Sequence, residues 1–200
     1  MVGTVENHQT KLIKIIFSSD GLWPCLRAHI MILFSSARLY VKPFTKADAD
    51  IFFTLTGDAE VMQYIREPKT RTESDLFLKE NLEFYNTHPG LGRFAVFTND
   101  TNTFAGTFSL LSINDSDHIH LGYAFLKPFQ GKGLATELVR ASLPYVFSTI
   151  QKDAVHALTV AENTSSIKVL LKCGFILSHT MVHNGDEVMV FELQKNKVNI

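Results

Sequence analysis

The sequence predicts an α/β fold in which a mixed, mostly antiparallel sheet is flanked by helices. Three patterns point to it. Strand-like runs at 93–98, 104–113 and 118–126 follow closely, the first two joined by the polar turn 99–103, and read as an antiparallel meander. A glycine-containing turn then opens a helical pattern at 131–147 that crosses over to a strand at 154–160. Last, 175–183 and 187–192 flank Asn184-Gly185, the signature of a tight type I′ hairpin.

The remaining elements follow in order. Alternation over 38–43 predicts the first strand, and Thr45 with Asp48 three residues on is a helix-start signal for a helix to about Leu55. Gly57-Asp58 breaks it, a short helix covers 59–65, and Glu67-Pro68 breaks the chain again. From Thr72, Phe77, Leu78, Leu82 and Tyr85 recur at helical spacing up to His88-Pro89-Gly90, an aromatic stripe that reads as core packing rather than a ligand box. A helix from Asn163 to Lys172 stops before Gly174, a usual left-handed C-cap residue.

Two hundred residues suffice for one domain with a full core, and 46% hydrophobic with 20% charged residues describe a globular chain. With 19 basic and 20 acidic residues, no global field favours nucleic acid or anionic lipid, and neither is expected as a partner. Cys25 and Cys173 form no metal-type or secreted disulfide pattern, so a reducing cytoplasm is the expected location. Lys14, Asp20, Arg27 and His29 interrupt the most apolar stretch, leaving no run long enough to span a membrane. Residues 1–34 are set apart as an N-terminal extension. They read as sequence upstream of an initiator Met31 or, alternatively, as an added strand or partner-binding arm; residues 35–197 form the expected domain.

The most informative segment is Leu121 to Glu137, where an alternating strand runs through a glycine-rich turn straight into a helix. Gly131 and Gly133 let backbone N–H groups approach a ligand closely, and the positive end of the following helix faces the same place. Such a turn is an anion cradle suited to pyrophosphate. It lacks the Gly-x-x-x-x-Gly-Lys-Ser/Thr of a P-loop and the third glycine of a dinucleotide fingerprint. It does fit Gln/Arg-x-x-Gly-x-Gly/Ala at Gln130, Gly133 and Ala135.

In this turn the chain resembles the GNAT superfamily of N-acetyltransferases. The segment from Val160 to Phe175, with Asn163, Ser166 and Gly174-Phe175, resembles that family's second block; 37–49 and 60–65 resemble its RimJ/RimL-type branch. The resemblance implies a GNAT fold, acetyl-CoA as co-substrate held between splayed central strands, and direct acetyl transfer to an amine, either a protein N-terminus or a small molecule, by a monomer or homodimer. It places the pyrophosphate on Gln130, Gly131, Lys132, Gly133, Leu134, Ala135 and Thr136, and the pantetheine arm on the backbone of Phe125 and Leu126. A catalytically silent acyl-CoA sensor or interaction module is the alternative.

Acetyl transfer requires a neutral amine, a polarised carbonyl and a proton for the departing thiolate. His120 stands where the branch often carries glutamate, and an imidazole with an ordinary pKa near ~6.5 suits proton removal close to neutrality. His118 lies two residues away on the same strand face. A zinc site built on this pair would need Asp115 or Asp117, and catalysis without metal is the expectation. Asn163 begins its helix as a cap or a cofactor ligand, and Ser166 one turn on is a candidate donor toward the thiolate. The tyrosine that many family members place four residues later is Leu170 here. Tyr123 could reach the sulfur or could be a core aromatic with its hydroxyl tied down, while Cys173 reads as packing.

Overall fold

A computed structural model describes residues 31–113, 116–183 and 185–198. One mixed sheet of eight strands organises them: β1 (Phe34–Ser35), β2 (Leu39–Pro43), β3 (Gly92–Thr98), β4 (Phe104–Ser112), β5 (Ile119–Phe125), β6 (Ala154–Thr159), β7 (Ile176–His183) and β8 (Asp186–Gln194). Their spatial order is β1-β2-β3-β4-β5-β6-β8-β7, and every neighbouring pair is antiparallel except β5 and β6. This is the predicted mixed, mostly antiparallel sheet. The helices are α1 (Ala49–Thr56), α2 (Ala59–Met62), α3 (Arg71–Thr87), α4 (Leu134–Pro144) and α5 (Thr164–Lys172).

Local signals explain where these elements begin. Asp48 accepts the Thr45 backbone N–H at 2.7 Å at the turn into α1, and Asp58 caps α2 by accepting from the N–H groups of Glu60 and Val61. At the head of α3, Thr70 and Glu73 form a reciprocal capping box, so this helix starts slightly earlier than the apolar spacing suggested. A two-residue loop joins β7 to β8, with Gly185 at φ +92; its other residue, Asn184, lies outside the described residues.

Both faces of the sheet are covered. Phe94 and Val96 of β3 join Leu121 and Phe125 of β5 in a core closed by α4 and α5, whereas Ala95, Phe97 and Ala124 pack with Phe52, Leu55 and Leu78 of α1 and α3. Burial on two sides is why β3 reads as an unbroken apolar run.

One expectation is corrected. The helix expected from Gly131 begins at Leu134, because Gly131 and Gly133 occupy the left-handed region at φ +70 and +76. Beyond Pro144, which has no N–H for a regular helical bond, it continues only as a π-type turn over Tyr145–Thr149. The described fold also takes in residues ahead of position 35. Leu33 donates its N–H to the Val41 carbonyl at 2.8 Å, and the Phe34 ring packs edge-on against Phe108 at 5.2 Å. Residues 1–30 lie outside the described residues.

Phe34→Ala should therefore lower stability by about 2–4 kcal/mol in urea unfolding, near the low end for losing a large aromatic from a core. A chain beginning at Met31 should keep the full-length midpoint, while one beginning at Ser36 should lose at least as much as the Phe34 variant.

Candidate active site

The site originates where β5 and β6 part. Their parallel pairing extends over two positions only, His120 with His156 and Leu121 with Ala157, although each strand continues beyond them. From Gly122 and Leu158 onward the strands splay. A cleft of about 250 Å³ lies along this opening and is lined from both strands by His120, Tyr123, Thr159 and Val160, and from α5 by Asn163 and Ser166. Thr159 Oγ1 is buried in its wall with no hydrogen-bond partner among the described residues.

At its C-terminal end β5 is tied to its own loop. The Leu126 N–H donates to the Ala105 carbonyl at 2.9 Å, the Phe129 N–H to the Leu126 carbonyl at 2.9 Å, and Gln130 Nε2 to the Phe125 carbonyl at 2.8 Å. Backbone groups alternate in direction along a strand, so with Leu126 committed to β4 the N–H of Phe125 faces the splayed side. Of the two residues expected to meet a pantetheine arm, Phe125 turns its N–H to the splayed side, and the N–H and carbonyl of Leu126 are engaged by Ala105 and Phe129. Gln130 braces the strand end.

The loop next forms the cradle. Gly133 caps α4 without any side chain, which leaves the first-turn N–H groups of Leu134, Ala135 and Thr136 without intrahelical acceptors. A Cβ on Gly131 would meet no atom within 4 Å, and one on Gly133 would have only Arg38 Nη2 at 3.8 Å, so the space above the turn is open. Arg38 was not singled out from the sequence. Its Nη1 donates to the Lys132 carbonyl at 3.1 Å and its Nε to Glu137 Oε2 at 2.6 Å. Burial would raise the Glu137 carboxyl, but hydrogen bonds from Ser36 and from the backbone and guanidinium of Arg38 outweigh it and hold the pKa below its ordinary value.

The two faces of β5 carry different chemistry. Tyr123 turns toward α5, where its hydroxyl hydrogen-bonds Ser166 Oγ at 3.1 Å, and burial pushes its pKa up to about 12. Asn163 is the α5 cap, its Oδ1 accepting the Ser166 N–H at 3.1 Å. Leu170, at the position of the missing tyrosine, is fully buried. Cys173 packs against the Thr136 carbonyl, and burial raises its thiol pKa, as fits a packing role.

His120, half-buried, lies on the opposite face and lines the cleft. Its register partner His156 is buried and donates Nδ1–H to the Ile119 carbonyl at 3.2 Å. The His118 ring meets that of His156 edge-on at 5.4 Å. Among the described residues no three His, Cys, Asp or Glu side chains group as metal ligands, and Asp115 lies outside them.

A family profile for the acetyltransferase (GNAT) domain matches residues 38–176. The chain belongs to this family. A probable N-acetyltransferase of Bacillus subtilis, YjcK, is 30% identical over 143 residues, covering 70% of each chain. Among solved structures, RimL, a ribosomal L7/L12 α-N-protein acetyltransferase in complex with coenzyme A, superposes with a TM-score of 0.69 at 19% identity over 82% of this chain and 98% of its own. The spermidine N-acetyltransferase of Vibrio cholerae, in complex with CoA and spermine, does so with a TM-score of 0.65 at 22% identity over 80% and 96%. RimL-like and spermidine-acetyltransferase-like proteins are thus similar to a comparable degree. The likeness marks the superfamily and not the RimJ/RimL branch alone, and the protein is an acetyltransferase of the GNAT fold.

Because burial raises Tyr85 and Tyr123 to about 12, above the ordinary 10, their contribution to folding is complete below pH 10 and is lost as pH rises through 12. Stability by denaturant titration should stay level from neutrality to about pH 10 on this account and fall steeply above it, in step with tyrosinate absorbance.

Proposed function

We propose that the protein transfers the acetyl group of acetyl-CoA directly to a primary amine. The observation that carries this reading is continuity along one strand: β5 lines the cleft at its splay from β6 with His120 and with Tyr123, bonded to Ser166, and the same strand leads within a few residues into the Gly131–Gly133 turn.

The residues present fit acetyl-CoA. The open left-handed turn with its unpaired N–H groups suits the pyrophosphate, with Arg38 and Lys132 adding positive charge and Gln130 holding the turn against the strand. The N–H of Phe125 and the buried, unpartnered hydroxyl of Thr159 are polar groups that an extended amide-bearing arm can satisfy. When bound, acetyl-CoA supplies the acetyl group as an activated thioester.

His120 accepts the proton of the incoming ammonium, because a primary amine with a pKa of roughly 8 to 10 is mostly protonated near neutrality and cannot attack until that proton leaves. On the other face, Tyr123 keeps its proton through the neutral range. Its hydroxyl, linked to Ser166, is a donor able to return a proton toward the departing sulfur. In this reading Tyr123, from the strand, takes over the role of the helix tyrosine that Leu170 replaces, and Asn163 positions Ser166. The acceptor is a protein N-terminus or a small-molecule amine, and the RimJ/RimL-like motifs at 37–49 and 60–65 are compatible with either.

Gly133→Val forces a β-branched residue into the left-handed region and places its side chain over the cradle. Acetyl-CoA affinity measured by calorimetry should fall at least tenfold while the variant stays folded. Unchanged affinity would remove the cradle from the reading. His120→Ala should lower turnover by about 10²-fold or more with acetyl-CoA affinity kept, in the range for losing a general base. Normal turnover by this variant across the pH range would assign proton removal elsewhere.

A further inference from the structure

The acceptor side of the cleft carries two guanidinium groups without carboxylate partners. Arg66, after α2, and Arg93, on β3, both line it, and each lies over the ring of Phe77 on α3, at 4.9 Å and 4.5 Å from the centroid. Lys69 Nζ shares the same ring at 4.9 Å. Among the described residues no Asp or Glu comes within ion-pair distance of Arg66 or Arg93; Glu80 stabilises the Arg93 charge only at longer range. Burial first and the neighbouring Arg66 charge second pull Arg93 down to about 10, so both groups are charged at neutral pH and repel each other.

Register ties this charge to the reacting strand. Arg93 pairs with Ser109 and Ser109 with Gly122, so Arg93 emerges on the sheet face that also carries His120, two residues from Gly122 on β5. The two strands are two interstrand spacings apart, roughly 10 Å, a gap that a small molecule can bridge. The cleft has one carboxylate in its described lining, Asp186 at the start of β8, away from the arginines in the sheet order. It is therefore bipolar: cationic toward β3, with the His120 imidazole toward β5 and a carboxylate toward β8.

Resting on the acetyl-transfer reading above, we propose that the acceptor is a small primary amine carrying an anionic group, a carboxylate or a phosphate, which Arg66 and Arg93 bind while the amine faces His120. Two planar guanidinium forks match such an anion and relieve their mutual repulsion on binding it. A polyamine would bring further ammonium groups against the same pair, so the chain should differ in specificity from the spermidine acetyltransferases it resembles.

The test follows release of CoA thiol from acetyl-CoA with matched amines: each amino acid against its amide, O-phosphoethanolamine against ethanolamine, and spermidine. In at least one pair the anionic member should exceed its neutral counterpart by tenfold or more in kcat/KM, and the responding arm identifies carboxylate or phosphate. Spermidine should rank below it. Arg66→Gln and Arg93→Gln, each confirmed to bind acetyl-CoA in calorimetry, should raise KM for the anionic member by about 10- to 100-fold and collapse the ratio. If Arg93→Gln does not fold, Arg66→Gln alone decides. Acetylated amines with no anionic preference, spermidine as the best acceptor, or a ratio unchanged in the folded variants would overturn the proposal while leaving acetyl transfer intact. Acetyl-CoA binding with no amine turned over would overturn the proposed function and this acceptor class together.

Discussion

The single parallel junction in the sheet is the constraint on which the site depends. Antiparallel neighbours can be joined by short turns, but a parallel neighbour requires the chain to travel back along the sheet, and here α4 makes that journey between β5 and β6. A crossover helix has to start near the end of the strand that feeds it. Its positive terminus is thereby delivered near the end of β5, joined to it by residues 126–133, which close with the Gly131–Gly133 turn. Because β5 and β6 then pair at just two positions, the same junction opens a slot with unpaired main chain. Cradle and slot are two consequences of one change in strand direction.

Period-two alternation along β5 sorts the chemistry on either side of that slot. Tyr123 belongs to the face packed by α4 and α5, where burial keeps its hydroxyl protonated and Ser166 orients it; His120 belongs to the face of α1 to α3, where the cleft is open. A base and an acid on adjacent turns of one helix would share an environment. On opposite faces of one strand, the base and the acid of the proposed reaction are held in different environments, and the strand edge between them is where that proposal lays the thioester.

The legible part of this structure was the part encoded locally. Alternation gave the meander, Thr45 marked a helix start, Gly57-Asp58 marked a break, and the glycines located the turn between β5 and α4 within a few residues. What was not legible depends on contacts across long sequence separations. Arg38 reaches the cradle only because β2 lies where its guanidinium can meet Glu137 and the Lys132 carbonyl, 94 to 99 residues on. The Tyr123–Ser166 bond spans 43 residues, and neither partner has a local signal that selects a bonded pair over two ordinary residues. Phe34 looked like the end of an apolar extension, since a two-residue edge strand is too short to show alternation.

Phe77 shows how a correct local reading can still be incomplete. Its spacing with Leu78, Leu82 and Tyr85 marks the buried stripe of α3, and the ring does pack against the core. Yet an aromatic at the boundary of a core has a second face, and this one gathers Arg66 and Lys69 from the connection before α3 and Arg93 from β3. The ring quadrupole offsets part of the cost of holding cations close together without discharging them, as a carboxylate partner would. Their charge therefore stays available to a ligand. Helix α3 serves the fold with one side of its stripe and, with the other, holds these cations beside the cleft.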